Sequence, residues 1–553
     1  MKGSYKKTLV VISLPIILLL LPAFEQPDRY FEIAKNLDIF ATLFKEVNTY
    51  YVDEVSPNKM MKKGIDAMLE SLDPYTNFIP EDEVEDYRTM TTGQYGGIGA
   101  VIGKRNERSI ILMPYEGFPA NKAGLLIGDE ILSVDGVDVT KKNTGEISKM
   151  LKGQSSTQVK LTIKRYGVTE KFDVTLSREK IKIENVPYFG LVNEKTGYIR
   201  LTDFTSGAAK EVKRALIELK NQGAKNMILD LRDNPGGLLS EAISISNLFI
   251  PKGKEIVKTK GKIAEWNKTY NALDNPSDID IPLVVLTSSR SASASEIVSG
   301  VIQDYDRGVL VGERTYGKGL VQATRPLSYN SQLKITTAKY YTPSGRCIQA
   351  IDYAHRNEDG SVGHIPDSLR VAFNTKNGRK VFDGGGVSPD IEIENKTLAP
   401  ITASLESKGL FFDYANIYFF NNKKIKAAKD FRLSEAEYQE FLKWLKDKEY
   451  DYSTKVEGAL EDIVNFSKKE KYYEAIKTQI NSLKAQVSHN KENDLETFKS
   501  EIKEQLEEEI ASRYYFQKGT VEASFNNDED VQAALKIFDN TAEFKKLLTV
   551  DNK

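Results

Sequence analysis

Three short stretches hold residue types that could do chemistry together. Residues 290–296 read RSASASE, three serines alternating with alanine and closed by a glutamate. Residues 312–322 read GERTYGKGLVQ, with Lys318 between two glycines, and residues 232–237 read RDNPGG. A serine becomes a nucleophile when a neighbouring base takes its proton, and the commonest base is histidine. The three histidines, His355, His364 and His489, lie in no local motif with an acid, so a Ser-His-Asp triad has no support. A lysine can serve instead, because burial disfavours its charged form and a neutral amine accepts a proton. Lys318 is the best placed, since its flanking glycines let the backbone turn tightly around it, and Gln322 follows within reach to orient the amine. RDNPGG ends the run MILDL in a sharp turn with exposed amides, which suits an oxyanion hole.

Each stretch has a plainer reading. Ser293 and Glu296 fit a capping box, S-x-x-E, at the start of a helix continued by IVSGVI. Gly312 to Lys318 fits the opening G-x-x-x-x-G-K of a phosphate-binding loop. The next residue is Gly319 rather than Ser or Thr, and LVQATRPL reads as a strand rather than a helix. Both departures argue against nucleotide binding. Pro-Gly-Gly also makes ordinary strand-to-helix turns.

The surrounding elements raise the chemical reading. All three stretches follow predicted strands (MILDL, IPLVVLTSS and RGVLVGE), and the carboxyl ends of strands in an α/β sheet are where ligands gather. Strands and helices alternate from Val186 to about Asn395, and the strands are continuous apolar runs, as a sheet buried on both faces requires. Residues 28–91 show helical periodicity, and residues 92–180 are β-rich with two short helices. In that β-rich segment Gly97, Gly99 and Gly103 have one residue too many for a dinucleotide fingerprint, and a strand follows where a helix is needed. From about Leu398 the chain is rich in Lys, Glu and helix formers, and its charge runs read as solvated faces.

With 553 residues the chain needs several cores, and 40% hydrophobic with 28% charged residues is an ordinary globular balance. A net charge of −2 gives no case for a nucleic-acid partner. The single cysteine, Cys347, rules out an intramolecular disulfide framework, and the histidines lack zinc-ligand spacing, so no metal is expected. At the N-terminus MKGSYKK precedes the apolar run TLVVISLPIILLLLPAF at 8–24. Its length fits a signal-peptide core or a short membrane anchor, and the basic flank predicts export of the remainder.

Taken together, these residues resemble the carboxyl-terminal processing peptidases, tail-specific serine peptidases that use a Ser–Lys pair. The likeness covers roughly residues 35–395: LDIFATLFKEVNTYYVDEV, TGQYGGIGAVIG, PANKAGLLIGDEILSVDG, GYIRL, LDLRDNPGG, SASASEI, GERTYGKGLVQ, YYTPSGR and GGVSPDI occur in family order. It implies Ser293 as nucleophile, Lys318 as base and Gln322 as its partner, with Ser291 and Ser295 structural. It implies an oxyanion hole from the amides of Gly236 or Gly237 and of Ala294. It also implies a PDZ domain whose carboxylate loop is Tyr95, Gly96, Gly97, Ile98 and Gly99.

The expected fold is therefore a multidomain α/β chain: a signal peptide or anchor (1–27), a helical N-terminal region (28–91), a PDZ β-rich domain (92–180), an α/β Ser–Lys peptidase core (181–397) and a helical C-terminal extension (398–553). The expected activity is serine endopeptidase, without cofactor or metal, on protein or peptide substrates with free apolar C-termini. A catalytically silent PDZ scaffold is the alternative. The expected location is the periplasmic face of the inner membrane or the periplasm, with membrane contact through the N-terminal segment and the helical extension as a candidate subunit-pairing element.

Overall fold

A computed structural model describes residues 26–550, apart from 358 and 395. The expected leader or anchor thus falls outside the described residues, except for positions 26 and 27. Among the described helices none is long and apolar enough to cross a membrane. The chain divides into two compact units, residues 1–78 and 79–553. In the first, helices run over Gln26–Tyr50 and Pro57–Glu70. The second helix opens on Ser56, whose hydroxyl accepts the Lys59 N–H, with Pro57 in its first turn, where a missing N–H does no harm.

The larger unit begins with a helix at Val84–Thr92 and then the β-rich domain. Strand Gln94–Gly97 pairs antiparallel with Glu179–Lys182. A separate sheet runs in the order Ala100–Arg105, Arg108–Pro114, Glu130–Val134, Gln158–Lys164, Phe172–Ser177. Ala100–Arg105 is an edge strand, so one side of its backbone stays open to pairing. The strand after Gly97 and Gly99 also disposes of the dinucleotide alternative. Helix Thr144–Leu151 is fixed by a full capping box, with Asn143 Oδ1 accepting the Glu146 N–H and Glu146 Oε2 accepting the Asn143 N–H, each at 2.9 Å.

The α/β core is built on a six-stranded sheet whose strands lie in chain order: β1 (Tyr188–Leu191), β2 (Thr196–Arg200), β3 (Asn226–Asp230), β4 (Leu283–Thr287), β5 (Val309–Gly312) and β6 (Ile391–Glu392). β1 is antiparallel to β2, and all other pairs are parallel. Three helices follow strands of this sheet: α1 (Ala208–Asn221) after β2, α2 (Leu239–Asn247) after β3 and α3 (Ala294–Asp304) after β4. They cover one face, where Ile199, Leu229, Val285 and Leu310 meet Val212, Leu216, Ile245 and Val298, all buried.

The opposite face is covered from the far end of the chain. Tyr198, Ile228, Val284, Leu286, Val309 and Val311 pack on Val521, Phe525, Val531, Ala534 and Ile537. These come from α4 (Lys499–Ser524), the residues after it, and α5 (Glu529–Asp539). The C-terminal extension is helical, as expected, but its last part is a layer of the core rather than an appendage. Its earlier part has a core of its own around Phe411, Tyr414, Phe441, Leu445, Ile502 and Leu506. That part also grips the β-rich domain through Arg108 and Asp413, 2.9 Å apart.

The seam between tail and sheet is rich in carboxylates. Burial, then the neighbouring Asp528, Glu504 and Glu509, push the Glu508 carboxyl up to about 7. A carboxyl with a raised folded pKa opposes folding once ionised, so its cost is absent below its unfolded pKa and grows as pH rises towards the folded one. Glu508→Gln is therefore expected to raise Tm at pH 8 and leave it nearly unchanged at pH 4.5. Thermal melts at the two pH values check this.

Candidate active site

Ser293 occupies the elbow between β4 and α3. Its backbone is at φ 55°, ψ −109°, a region that L-residues adopt at a cost of about 1–3 kcal/mol and that surrounding contacts must hold. Those contacts are Tyr340 Oη donating to Ser293 O at 3.1 Å and the Ser293 N–H donating to Glu296 Oε2 at 2.8 Å. Ser293 opens the helix as its cap residue, its carbonyl oxygen accepting the Glu296 N–H at 2.9 Å. Ser291 and Ser295 differ. Both are fully buried, and their hydroxyls donate to Leu231 O at 2.8 Å and Asn234 O at 2.9 Å, fixing the RDNPGG loop.

Glu296 matters more than a cap partner would. Its carboxylate is inaccessible to solvent and accepts four hydrogen bonds. Oε2 takes the N–H groups of Ser293 and Lys318, both at 2.8 Å. Oε1 takes the Thr315 hydroxyl at 2.6 Å and the Gly317 N–H at 2.7 Å. One oxygen thus joins the backbones of Ser293 and Lys318. Burial raises the carboxyl pKa while these donors oppose the shift. The S-x-x-E spacing pointed to this residue, but nothing local shows that its second set of donors lies beyond β5.

Glu296→Gln would set an amide NH₂ against backbone N–H donors. Leaving two buried donors unmet costs roughly 1–3 kcal/mol each. The expected result is a lower Tm and a kcat at least about 100-fold down, since small misplacements of reacting groups cost that much. Melting curves and peptide hydrolysis measure both.

Lys318 is half-buried in the loop after β5. Gly317 lies at φ +88°, where a Cβ would come within 2.3 Å of the Ala350 Cβ, so the turn admits only glycine there. A strand, Leu320–Pro326, follows, which removes the phosphate-loop alternative. Gln322 sits on that strand with Nε2 donating to Thr336 Oγ1 at 3.1 Å.

The oxyanion-loop candidates are held tightly. Asn234 is fully buried, donates to Leu201 O at 2.7 Å and accepts the Gly236 N–H at 2.9 Å. The Gly236 amide is therefore engaged inside its own loop. Among the described residues no acceptor faces the N–H groups of Gly237 and Ala294. Gly236 instead lets the loop approach: a Cβ on it would sit 2.8 Å from Ala294 N and 2.9 Å from Ser293 Cβ.

Ser293, Lys318, Gln322, Gly236, Gly237 and Ala294 all line one cavity of about 400 Å³. Asp203, which no motif had singled out, lines it too, its carboxyl pushed up by burial. Such a cavity brings together a serine side chain, a lysine amine and two backbone amides, the groups that acyl transfer would need. Tyr95, Gly96, Gly97, Ile98 and Gly99 lie apart in the β-rich domain. The first three belong to a paired strand, Ile98 is buried with its carbonyl accepting the Ala120 N–H at 2.8 Å, and Gly99 turns at φ +71° into the open edge strand. Among the described residues no group of His, Cys, Asp and Glu side chains is arranged to hold a metal ion.

Comparison with known proteins places matching segments on these parts. Residues 195–355 match the peptidase family S41, residues 110–165 the PDZ domain, and residues 401–538 the C-terminal helical domain of PDZ-proteases. A carboxy-terminal-processing protease of Bartonella bacilliformis is 37% identical over 321 residues, 57% of this chain and 73% of that protein. A CtpA-like serine protease of Staphylococcus aureus is 38% identical over 392 residues, 69% of this chain and 75% of that protein. A solved photosystem II C-terminal processing protease is 27% identical, covering 67% of this chain and 95% of its own, with a TM-score of 0.35.

Proposed function

Since the chain belongs to peptidase family S41 and is a carboxy-terminal-processing serine protease with a PDZ domain, we propose that Ser293 is its nucleophile and Lys318 the base that activates it. The observation that carries this reading is the shared Glu296 oxygen, which accepts the N–H of both residues at 2.8 Å and so ties the two backbones to one point. A peptide filling the cavity strips water from the lysine amine, which disfavours its charged form. The neutral amine takes the Ser293 proton, and the oxygen attacks the scissile carbonyl. The tetrahedral anion accepts hydrogen bonds from the amides of Gly237 and Ala294, with Gly236 shaping the approach. The lysinium then returns its proton to the leaving amine, and water hydrolyses the acyl-enzyme. Gln322 limits the orientations open to the amine.

The PDZ domain selects the substrate. An extended C-terminal tail adds to the open edge of Ala100–Arg105, and its carboxylate is held by amides at the Gly97–Ile98–Gly99 turn, with Tyr95 and Gly96 setting the strand that leads into it. The apolar run at 8–24 after a basic flank supports export and an envelope location, so the substrates are tails of envelope proteins.

The test is cleavage of a peptide with an apolar free C-terminus, followed by mass spectrometry, beside the same peptide amidated. Cleavage that is slowed several-fold or more by amidation is expected. Equal cleavage of both peptides would remove carboxylate recognition. Binding of the free-acid peptide without any cleavage would favour a silent scaffold.

A further inference from the structure

The loop that supplies the oxyanion amides is anchored from outside the peptidase core. Arg232 is its first residue, two positions after the last residue of β3. Arg232 Nε lies 3.0 Å and 3.1 Å from the two oxygens of Asp230, and Arg232 N–H donates to Asp230 Oδ1 at 2.9 Å. Nη2 also donates to Asp230 Oδ2 at 2.7 Å, and the remaining contacts of the guanidinium reach the tail. Nη1 donates to Asp528 Oδ1 and Asp530 Oδ2, both at 2.9 Å, and Nη2 donates to Asp528 Oδ2 at 2.7 Å. Both acids belong to the C-terminal extension, 296 and 298 positions downstream.

These contacts are well built. The Arg232 side chain is 19% exposed and those of Asp528 and Asp530 15% and 16%, so the fork is shielded from water and its bidentate geometry is retained. Asp528 also caps α5, accepting the Val531 N–H at 3.1 Å, and therefore cannot swing away without freeing that helix end. A second contact supports the same strand end: Tyr198 Oη donates to Asp230 Oδ2 at 2.5 Å, and its ring meets that of Phe525 edge-on, centroids 5.1 Å apart. From Arg232 the chain passes through Asp233 at φ +61° and Asn234 to Gly236 and Gly237 with little slack.

We propose that Asp528 and Asp530 are positioning residues for the peptidase reaction: acting through Arg232, they hold the 232–237 loop so that its amides face the developing oxyanion. The helical extension is then a working part of the active site rather than a cover for it. This rests on the reading of Ser293 as nucleophile and of the 236–237 turn as oxyanion donor. Preorganised donors lose their value when displaced by a fraction of an ångström, so a loosened Arg232 lowers kcat while leaving the PDZ-bound tail, and hence KM, in place.

The test uses the full chain with Asp528→Asn, Asp530→Asn and the double variant, assayed well below their melting temperatures. Asp528→Glu serves as conservative rescue, and Ile537→Ala is a control that thins the same tail–sheet contact without touching Arg232. The double variant should lose about 10–100-fold in kcat with KM within about twofold. Asp528→Glu should recover most of the loss, and Ile537→Ala should lower Tm with kcat unchanged. A double variant with parental kcat, or an Ile537→Ala kcat that falls equally at equal Tm loss, would overturn the proposal. Ser293→Ala is run alongside. If it cleaves as fast as the parent, the nucleophile assignment itself fails, whereas an inactive Ser293→Ala with a fully active double variant removes only the positioning role.

Discussion

A chain ending at residue 398 is expected to yield no folded, soluble enzyme, and one ending at residue 520 is expected to fail in the same way. Both lack Val521, Phe525, Val531, Ala534 and Ile537, which cover Tyr198, Ile228, Val284, Leu286, Val309 and Val311 on the second sheet face. Burying one such side chain contributes about 1.5–3 kcal/mol, so uncovering six removes on the order of 10 kcal/mol. That is comparable with the whole stability of a typical domain, about 5–15 kcal/mol. The chain ending at 520 separates this effect from loss of the earlier helices, which keep their own core around Phe441 and Leu506. Soluble yield, circular dichroism and melting of the two truncated chains measure it. A cooperative melt near that of the parent in the chain ending at 520 would contradict the account.

The second large effect is expected from Gly236→Ala. At φ +97° any side chain is strained, and a Cβ would lie 2.6 Å from Ala292 O, 2.8 Å from Ala294 N and 2.9 Å from Ser293 Cβ. The methyl group must push apart the two segments of chain that hold Ser293 and the amides proposed as oxyanion donors. Removing one oxyanion donor alone costs about 10²–10³ in kcat, and the displaced serine adds to it. A kcat roughly 1000-fold down is expected with a cooperative melt retained, because the left-handed backbone penalty is only about 1–2 kcal/mol. A kcat within about tenfold of the parent would show that the two loops are not in the contact described.

Much of the site was legible because its parts are local. The serine cluster, Lys318 between glycines and RDNPGG each carry turn and cap chemistry that sequence spacing displays, and each follows an apolar strand. The choice of Ser293 rests on the family resemblance, and in the structure the hydroxyls of Ser291 and Ser295 are committed to Leu231 O and Asn234 O. A preference between Gly236 and Gly237 as proposed oxyanion donor was not legible, since it depends on Asn234 accepting one amide and not the other. The double role of Glu296 was hidden for the same reason, its partners Thr315, Gly317 and Lys318 being brought to it by the β4–β5 pairing.

The continuous apolar runs of β3, β4 and β5 announced that both sheet faces are covered. Local periodicity supplies helices for only one of them, and the cover for the other comes from the chain's last helices. Those helices look solvated in sequence because Lys and Glu outnumber the few apolar positions that reach the sheet. The domain plan therefore followed from the sequence more readily than the packing of its last part.

The most direct test of the central claim is the cleavage rate of a free-acid peptide by the parent, Ser293→Ala and Lys318→Ala, the last with and without added small primary alkylamines. Both variants should fall to the uncatalysed background, and only Lys318→Ala should regain measurable turnover when an amine replaces the missing base. Parental turnover by Ser293→Ala, or by Lys318→Ala without amine, would contradict the Ser–Lys assignment.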